Sequence, residues 1–161
     1  MNIGLIIESV YRMDFQALDK ALTQGVDLNA VDDDGRTPLM HAILASDASV
    51  EMVRYLLRNG ANPNIADFGQ NWTVLHFAAR DQKLPLVQIL LDAGARVDVE
   101  DSFGNTPLWR CVMAADPNPI LVQLLLARGS DPRKRNRYGT SPKDVVERSG
   151  KLELLKLFGD A

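Results

Sequence analysis

Two landmarks recur along this chain with one period and one phase, and that repetition limits the possible folds more than any other feature. A glycine follows an apolar run at Leu22-Thr-Gln-Gly25, Leu57-Arg-Asn-Gly60, Leu91-Asp-Ala-Gly94 and Leu126-Ala-Arg-Gly129, at intervals of 35, 34 and 35 residues. A hydroxyl residue that can open a helix recurs at Thr37-Pro38-Leu39, Thr73-Val74-Leu75, Thr106-Pro107-Leu108 and Ser141-Pro142, at intervals of 36, 33 and 35 residues. A period of this length marks a solenoid of small units, none of which can bury its apolar face without a neighbour.

Each unit follows the same physical order. The Thr caps a helix, and Pro is tolerated at the first helical position because the N–H it removes has no partner there. This predicts short first helices such as Pro38–Ala45 and Val74–Asp81. Apolar residues at helical spacing predict second helices, as at Val50, Val53, Leu56 and Leu57, and at Leu84, Val87, Leu90 and Leu91. The recurring glycine supplies a left-handed helix end. Polar turns follow, among them Asp32-Asp33-Asp34-Gly35 and Asp101-Ser102-Phe103-Gly104, and read as hairpin tips. Asn71 stands where a turn glycine is expected, a conformation Asn tolerates, in a tip one residue longer than the others. Pro85 is expected in the first turn of its helix, where it does no harm.

These residues resemble the ankyrin repeat, with its Gly-x-Thr-Pro-Leu-His start and Leu-Leu-x-x-Gly-Ala end. The resemblance implies a single all-α ankyrin-repeat solenoid of helix-turn-helix units joined by β-hairpin-like loops. Five units are expected: an N-terminal cap at 1–31 with helices Ile3–Arg12 and Phe15–Thr23, full repeats at 32–66, 67–100 and 101–135, and a C-terminal cap at 136–161. The family's His survives only as His76, being replaced by Met40, Trp109 and Asp144 elsewhere.

Composition narrows the function. Of 161 residues 46% are apolar and 24% charged, with a net charge of −3; a chain of this size buries roughly two thirds of its unfolded surface, enough for a core. Residues 1–80 carry 6 Lys/Arg against 10 Asp/Glu, and residues 81–161 carry 12 against 11, so an elongated fold is electrically polarised. The lone Cys111 can form no internal disulfide, and the first residues lack the basic start and cleavage site of a signal peptide. No stretch approaches the roughly 20 apolar residues of a membrane span, so a cytoplasmic protein is expected.

Catalytic groups are sparse. His41 and His76 read as helix-start hydrogen-bonding residues, Cys111 as a core thiol where the family has a small Ala, and Trp109 as a brace between neighbours. The Asp32–Gly35 turn lacks the alternating ligands and closing glutamate of a calcium loop, and no zinc or phosphate-binding pattern is present. No enzyme, cofactor or metal is therefore expected. The basic segment Arg133-Lys134-Arg135-Asn136-Arg137 is a remote alternative for nucleic-acid binding, against a pI near 5.3.

The resemblance implies binding of another protein through the hairpin tips and the first-helix side of the stack by a chain that is monomeric when free. Contact candidates are Asp33, Asp34, Arg36, Phe68, Gln70, Trp72, Ser102, Phe103, Asn105, Arg137, Tyr138 and Thr140 on the tips. Leu44, Arg80, Asp81, Met113 and Arg148 are the candidates on the first helices. Four of the tip residues are aromatic in a chain with only ten aromatics, and Trp72 is expected to project from the longest tip as an anchor. Short stand-alone ankyrin chains occur in bacteria, where some neutralise a toxin partner. The resemblance therefore extends to an inhibitor or immunity protein, with a non-inhibitory adaptor as the alternative.

Overall fold

The computed structural model describes residues 3–159, which contain ten α-helices, a closing 3₁₀ turn at Lys156–Phe158 and no β-strand. Residues 1–2 and 160–161, the outer ends of the two expected caps, lie outside the described residues. The helices are α1 (Ile3–Tyr11), α2 (Phe15–Thr23), α3 (Pro38–Leu44), α4 (Val50–Arg58), α5 (Val74–Arg80), α6 (Leu84–Asp92), α7 (Pro107–Val112), α8 (Pro119–Ala127), α9 (Pro142–Ser149) and α10 (Leu152–Leu155). They run one residue short of expectation at Tyr11, Leu44 and Arg80, where Ala45 and Asp81 act as caps rather than helix.

Successive helices close on one another in pairs, and the pairs stack into two layers. The odd-numbered helices pack side by side in one layer, and α4, α6, α8 and α10 in the other. The core runs between them through fully buried Leu18, Leu39, Ile43, Leu56, Leu75, Leu90, Leu108, Leu121 and Leu125.

The recurring residues do the work their spacing suggests. Thr37, Thr106 and Ser141 accept from the N–H three residues on, at Met40 (3.2 Å), Trp109 (3.3 Å) and Asp144 (3.1 Å). After α2, α4, α6 and α8 the chain reverses through a left-handed glycine, as at Gly60 (φ 93°) and Gly94 (φ 85°). The following N–H then closes on the helix, Ala61 N–H to Leu56 O (3.0 Å) and Ala95 N–H to Leu90 O (2.9 Å). Asn71 takes the left-handed conformation expected of it (φ 59°), and Pro85 sits in the first turn of α6.

Beyond the helix exits, asparagines couple neighbouring units. Asn29 donates to Gly60 O (3.1 Å) and accepts from Asn62 N–H (2.7 Å); Asn64 does the same to Gly94 O (3.1 Å) and Arg96 N–H (2.9 Å). Asp98 continues the series by accepting from Asp131 N–H at 3.1 Å.

Leu90 is wholly enclosed between the layers. Replacing it with Ala is expected to cost roughly 2–5 kcal/mol in denaturant unfolding. A loss below about 0.5 kcal/mol would contradict this packing.

Candidate binding surface

The tips are built by one repeated device. The side chain of the first tip residue accepts two backbone N–H bonds from its own turn. Asp32 accepts from Asp34 (3.0 Å) and Arg36 (2.8 Å), and Asp67 from Gln70 (3.1 Å) and Trp72 (2.9 Å). Asp101 accepts from Phe103 (2.8 Å) and Asn105 (2.9 Å), and Asn136 from Tyr138 and Thr140 (3.0 Å each). A second set of bonds joins each tip to the next: Phe68 N–H to Asp34 O (2.9 Å), Ser102 N–H to Gln70 O (2.8 Å) and Arg137 N–H to Phe103 O (3.0 Å). In every case the acceptor immediately precedes the left-handed residue, Gly35, Asn71 or Gly104. The extra residue of the long tip is thus absorbed without breaking the row.

This row presents most of the candidate residues to solvent. Asp33, Asp34, Phe68, Gln70, Arg80, Asp81, Phe103, Met113, Arg137, Tyr138 and Arg148 are exposed, while Arg36, Leu44, Ser102 and Thr140 are half-buried. Phe68 (71% exposed) leans over the preceding tip, where a Cβ on Gly35 would come within 2.5 Å of its ring. Phe103 (39%) and Tyr138 (74%) stack with ring centres 6.5 Å apart. Ser102 is small, so a slot of about 530 Å³ opens between Phe68 and Arg137, with Asn71 and Glu100 also in its wall.

Two expectations are corrected. Trp72 does not project: it is 5% exposed, with its ring centre 5.0 Å from that of Phe77 and guanidinium groups over it from Arg110 (4.5 Å) and Arg80 (5.2 Å). Asn105 is likewise buried (4% exposed). It accepts from Asn136 Nδ2 at 2.7 Å, and its carbonyl accepts from His76 Nε2 at 3.2 Å. Both residues directly follow the left-handed tip residue, and at that point the chain turns inward to reach the capping Thr.

Arg110 was not singled out from sequence. It binds Asp101 through Nε (3.0 Å) and Nη2, and holds a charge against the Trp72 ring. The signal was present in the spacing: Arg110 lies nine residues after Asp101, as His41 lies nine after Asp32, to which His41 Nε2 is bonded at 2.7 Å. Burial works against the Asp101 carboxylate, but Arg110 and the turn N–H groups outweigh it and hold its pKa low. Asp32 is held low in the same way by the Arg36 N–H and His41.

His76 Nδ1 accepts from Thr73 N–H (3.2 Å) while Nε2 donates to the Asn105 carbonyl of the adjoining tip, so one neutral tautomer links two units. Burial lowers its pKa to about 4. Burial pushes the Cys111 thiol up to about 12, which removes the thiolate a nucleophile needs. Trp109 is half-buried with the Arg110 guanidinium 5.4 Å from its ring. In the basic segment, Lys134 pairs with Glu100 (3.0 Å) and Arg135 with Asp144 (3.0 Å), which leaves no continuous free cationic stripe there. Among the described residues no group of three or more His, Cys, Asp or Glu could hold a metal ion, and no helix is long and apolar enough to cross a membrane.

Comparison with known proteins agrees with this architecture. A family model for ankyrin repeats in three copies matches residues 6–67 and 48–136. The human transient receptor potential cation channel subfamily A member 1 is 31% identical over 132 residues, 81% of this chain. The mitochondrial disaggregase of Bos taurus is 31% identical over 156 residues, 94% of this chain. Human SH3 and multiple ankyrin repeat domains protein 2 is 33% identical over 128 residues, 78% of this chain. The chain spans only 11%, 22% and 7% of the lengths of these three proteins.

The His76 bridge makes stability depend on pH with a definite sign. Its folded pKa near 4 lies below the ordinary 6.5, so the unfolded chain takes up the proton first as pH falls. Stability is fully present above the ordinary value, declines through this window and levels off below the folded pKa. Relative to His76→Gln, the unfolding free energy of the parent chain should fall by roughly 3 kcal/mol between neutral pH and about pH 4. Parallel pH profiles for the two chains would contradict the buried neutral imidazole.

Proposed function

We propose that this chain, which belongs to the ankyrin-repeat family, works as a non-catalytic protein-binding module whose contact surface is the row of hairpin tips and the adjoining first-helix side chains. Ankyrin repeats generally mediate protein–protein interaction. The observation that carries the reading is the exposure of Phe68, Phe103 and Tyr138 on turns whose backbones are bonded to one another. Rings held on a fixed backbone lose little entropy when a partner covers them, and aromatic residues dominate the energetic centres of interfaces. The neighbouring exposed Asp33 and Asp34 suit a cationic rim on the partner and would speed its encounter.

In its finer form the reading makes this a short bacterial chain that acts in the cytoplasm. There it blocks its partner, as the inhibitor or immunity protein of a toxin or effector. Assaying the partner's activity at saturation separates this form from a non-inhibitory adaptor, which would leave that activity intact.

The test uses the captured partner and the full chain. Phe68→Ala and Tyr138→Ala should each weaken binding by about thirtyfold, equivalent to about 2 kcal/mol, while changing stability by no more than about 0.5 kcal/mol. A partner that binds both variants as tightly as the parent chain would show that the tips are not the contact surface.

A further inference from the structure

Three of the four tips open on an aspartate, and two of these carboxylates are matched by a base inside the chain. Asp32 Oδ2 is bonded to His41 Nε2 at 2.7 Å, and Asp101 Oδ2 to the Arg110 guanidinium. Each base stands four residues after the capping Thr of its unit, Thr37 or Thr106. The last tip opens on the neutral Asn136, and four residues after its cap, Ser141, comes the apolar Val145. The long tip breaks this matching: it opens on Asp67, but four residues after Thr73 stands Phe77.

Asp67 is therefore half satisfied. Its Oδ1 accepts the N–H groups of Gln70 and Trp72, while Oδ2 has no partner among the described residues. The residue is only 8% exposed, so water does little to replace the missing base. Oδ2 is nevertheless not sealed: in contrast to the unpartnered indole nitrogens of Trp72 and Trp109, it keeps contact with solvent. It faces a cleft of about 210 Å³ whose wall includes Arg36, Gly69, Trp72, Phe77 and Arg80. Gly69 is outside the left-handed region, and a Cβ on it would stand 3.8 Å from Oδ2. The absence of a side chain at Gly69 thus keeps the approach to this oxygen open. The two bases in the wall are already engaged, Arg36 with Asp34 (3.2 Å) and Arg80 with Asp81 (2.5 and 2.9 Å). Asp67 leaves these groups with one formal negative charge in excess.

We propose that this cleft receives a cationic side chain, Lys or Arg, of the partner protein, which donates to Asp67 Oδ2. The guest takes the part that His41 and Arg110 play for the other two aspartates, and the bond it makes is charge-assisted. The proposal rests on the protein-binding reading and adds the chemistry of one contact. Exposed rings on the tips would cover apolar surface of the partner, while a partner without a cation beside that surface would bury a carboxylate oxygen unpaired.

The Trp72 indole, in the wall of the same cleft, reports the outcome. The chain has two tryptophans, so a ¹⁵N–¹H correlation spectrum of the full-length protein contains two indole N–H signals, assigned with Trp109→Phe. The probes are N-acetyllysine amide and N-acetylarginine amide, with the glutamine and glutamate analogues as controls. A cationic probe should move the Trp72 signal saturably at low salt, with a dissociation constant on the order of ten millimolar. Asp67→Asn should weaken this response about tenfold or more. That variant keeps its tip, because Asn136 closes the last tip with the same pair of backbone bonds. Gly69→Val, which shades Oδ2, should weaken the response as well, and Phe68→Ala/Tyr138→Ala should leave it intact. An indole unmoved by either cation, an equal response to glutamine or glutamate, or a response retained in Asp67→Asn would overturn the site. Failure of the tip variants to affect partner binding would instead count against the protein-binding surface and leave a positive titration standing.

Discussion

The physical constraint behind this structure is that none of its helices is long enough to stand alone. The second helices of four pairs are nine residues long and α7 only six, well under the length at which an isolated helix persists in water. Each pair is therefore helical because its neighbours bury it, and Leu75, Leu90 and Leu108, on helices that pack against those of adjoining units, are fully buried. Stability accumulates along the stack through nearest-neighbour contacts, and the recurring Thr caps and left-handed glycines set where the helices of the central pairs begin and end.

Stacking alone would leave the turns free to move, and the polar network removes that freedom. Asp32, Asp67, Asp101 and Asn136 close their own turns, while the bonds from Phe68, Ser102 and Arg137 tie each turn to its predecessor. Asn29, Asn64 and Asp98 perform a parallel coupling at the helix exits. His76 adds a third kind of link by satisfying Thr73 on its own unit and Asn105 on the next. An ordered edge results, and it carries the exposed side chains of the proposed contact surface.

The fold was legible because its signals are local and repeated. Thr, Pro and Gly act on the backbone within a few residues, so their spacing placed the first helices expected at Pro38–Ala45 and Val74–Asp81 to within one residue of their observed ends. Exposure on the tips was legible at Phe68 and Tyr138, which lie in the turn itself. It was misread at Trp72 because aromatic character was given more weight than phase. Trp72, Arg36, Asn105 and Thr140 all occupy the position just after the left-handed residue, and none of the four is fully exposed. Phase could thus have warned that Trp72 turns inward. The guanidinium groups of Arg80 and Arg110 over its ring could not have been foreseen, since both depend on side-chain paths across neighbouring units.

The central claim is that the tips form one bonded edge and not a row of independent loops, and amide hydrogen exchange in the free protein tests it directly. Phe68, Ser102 and Arg137 donate their N–H groups across unit boundaries, whereas the Asp33 N–H, on the first tip of the row, has no acceptor among the described residues. After correction for intrinsic rates, the three bridging amides should exchange about a hundredfold or more slowly than that of Asp33. Exchange of all four at similar, nearly unprotected rates would contradict the bonded edge, and with it the preorganised surface on which the binding function is argued.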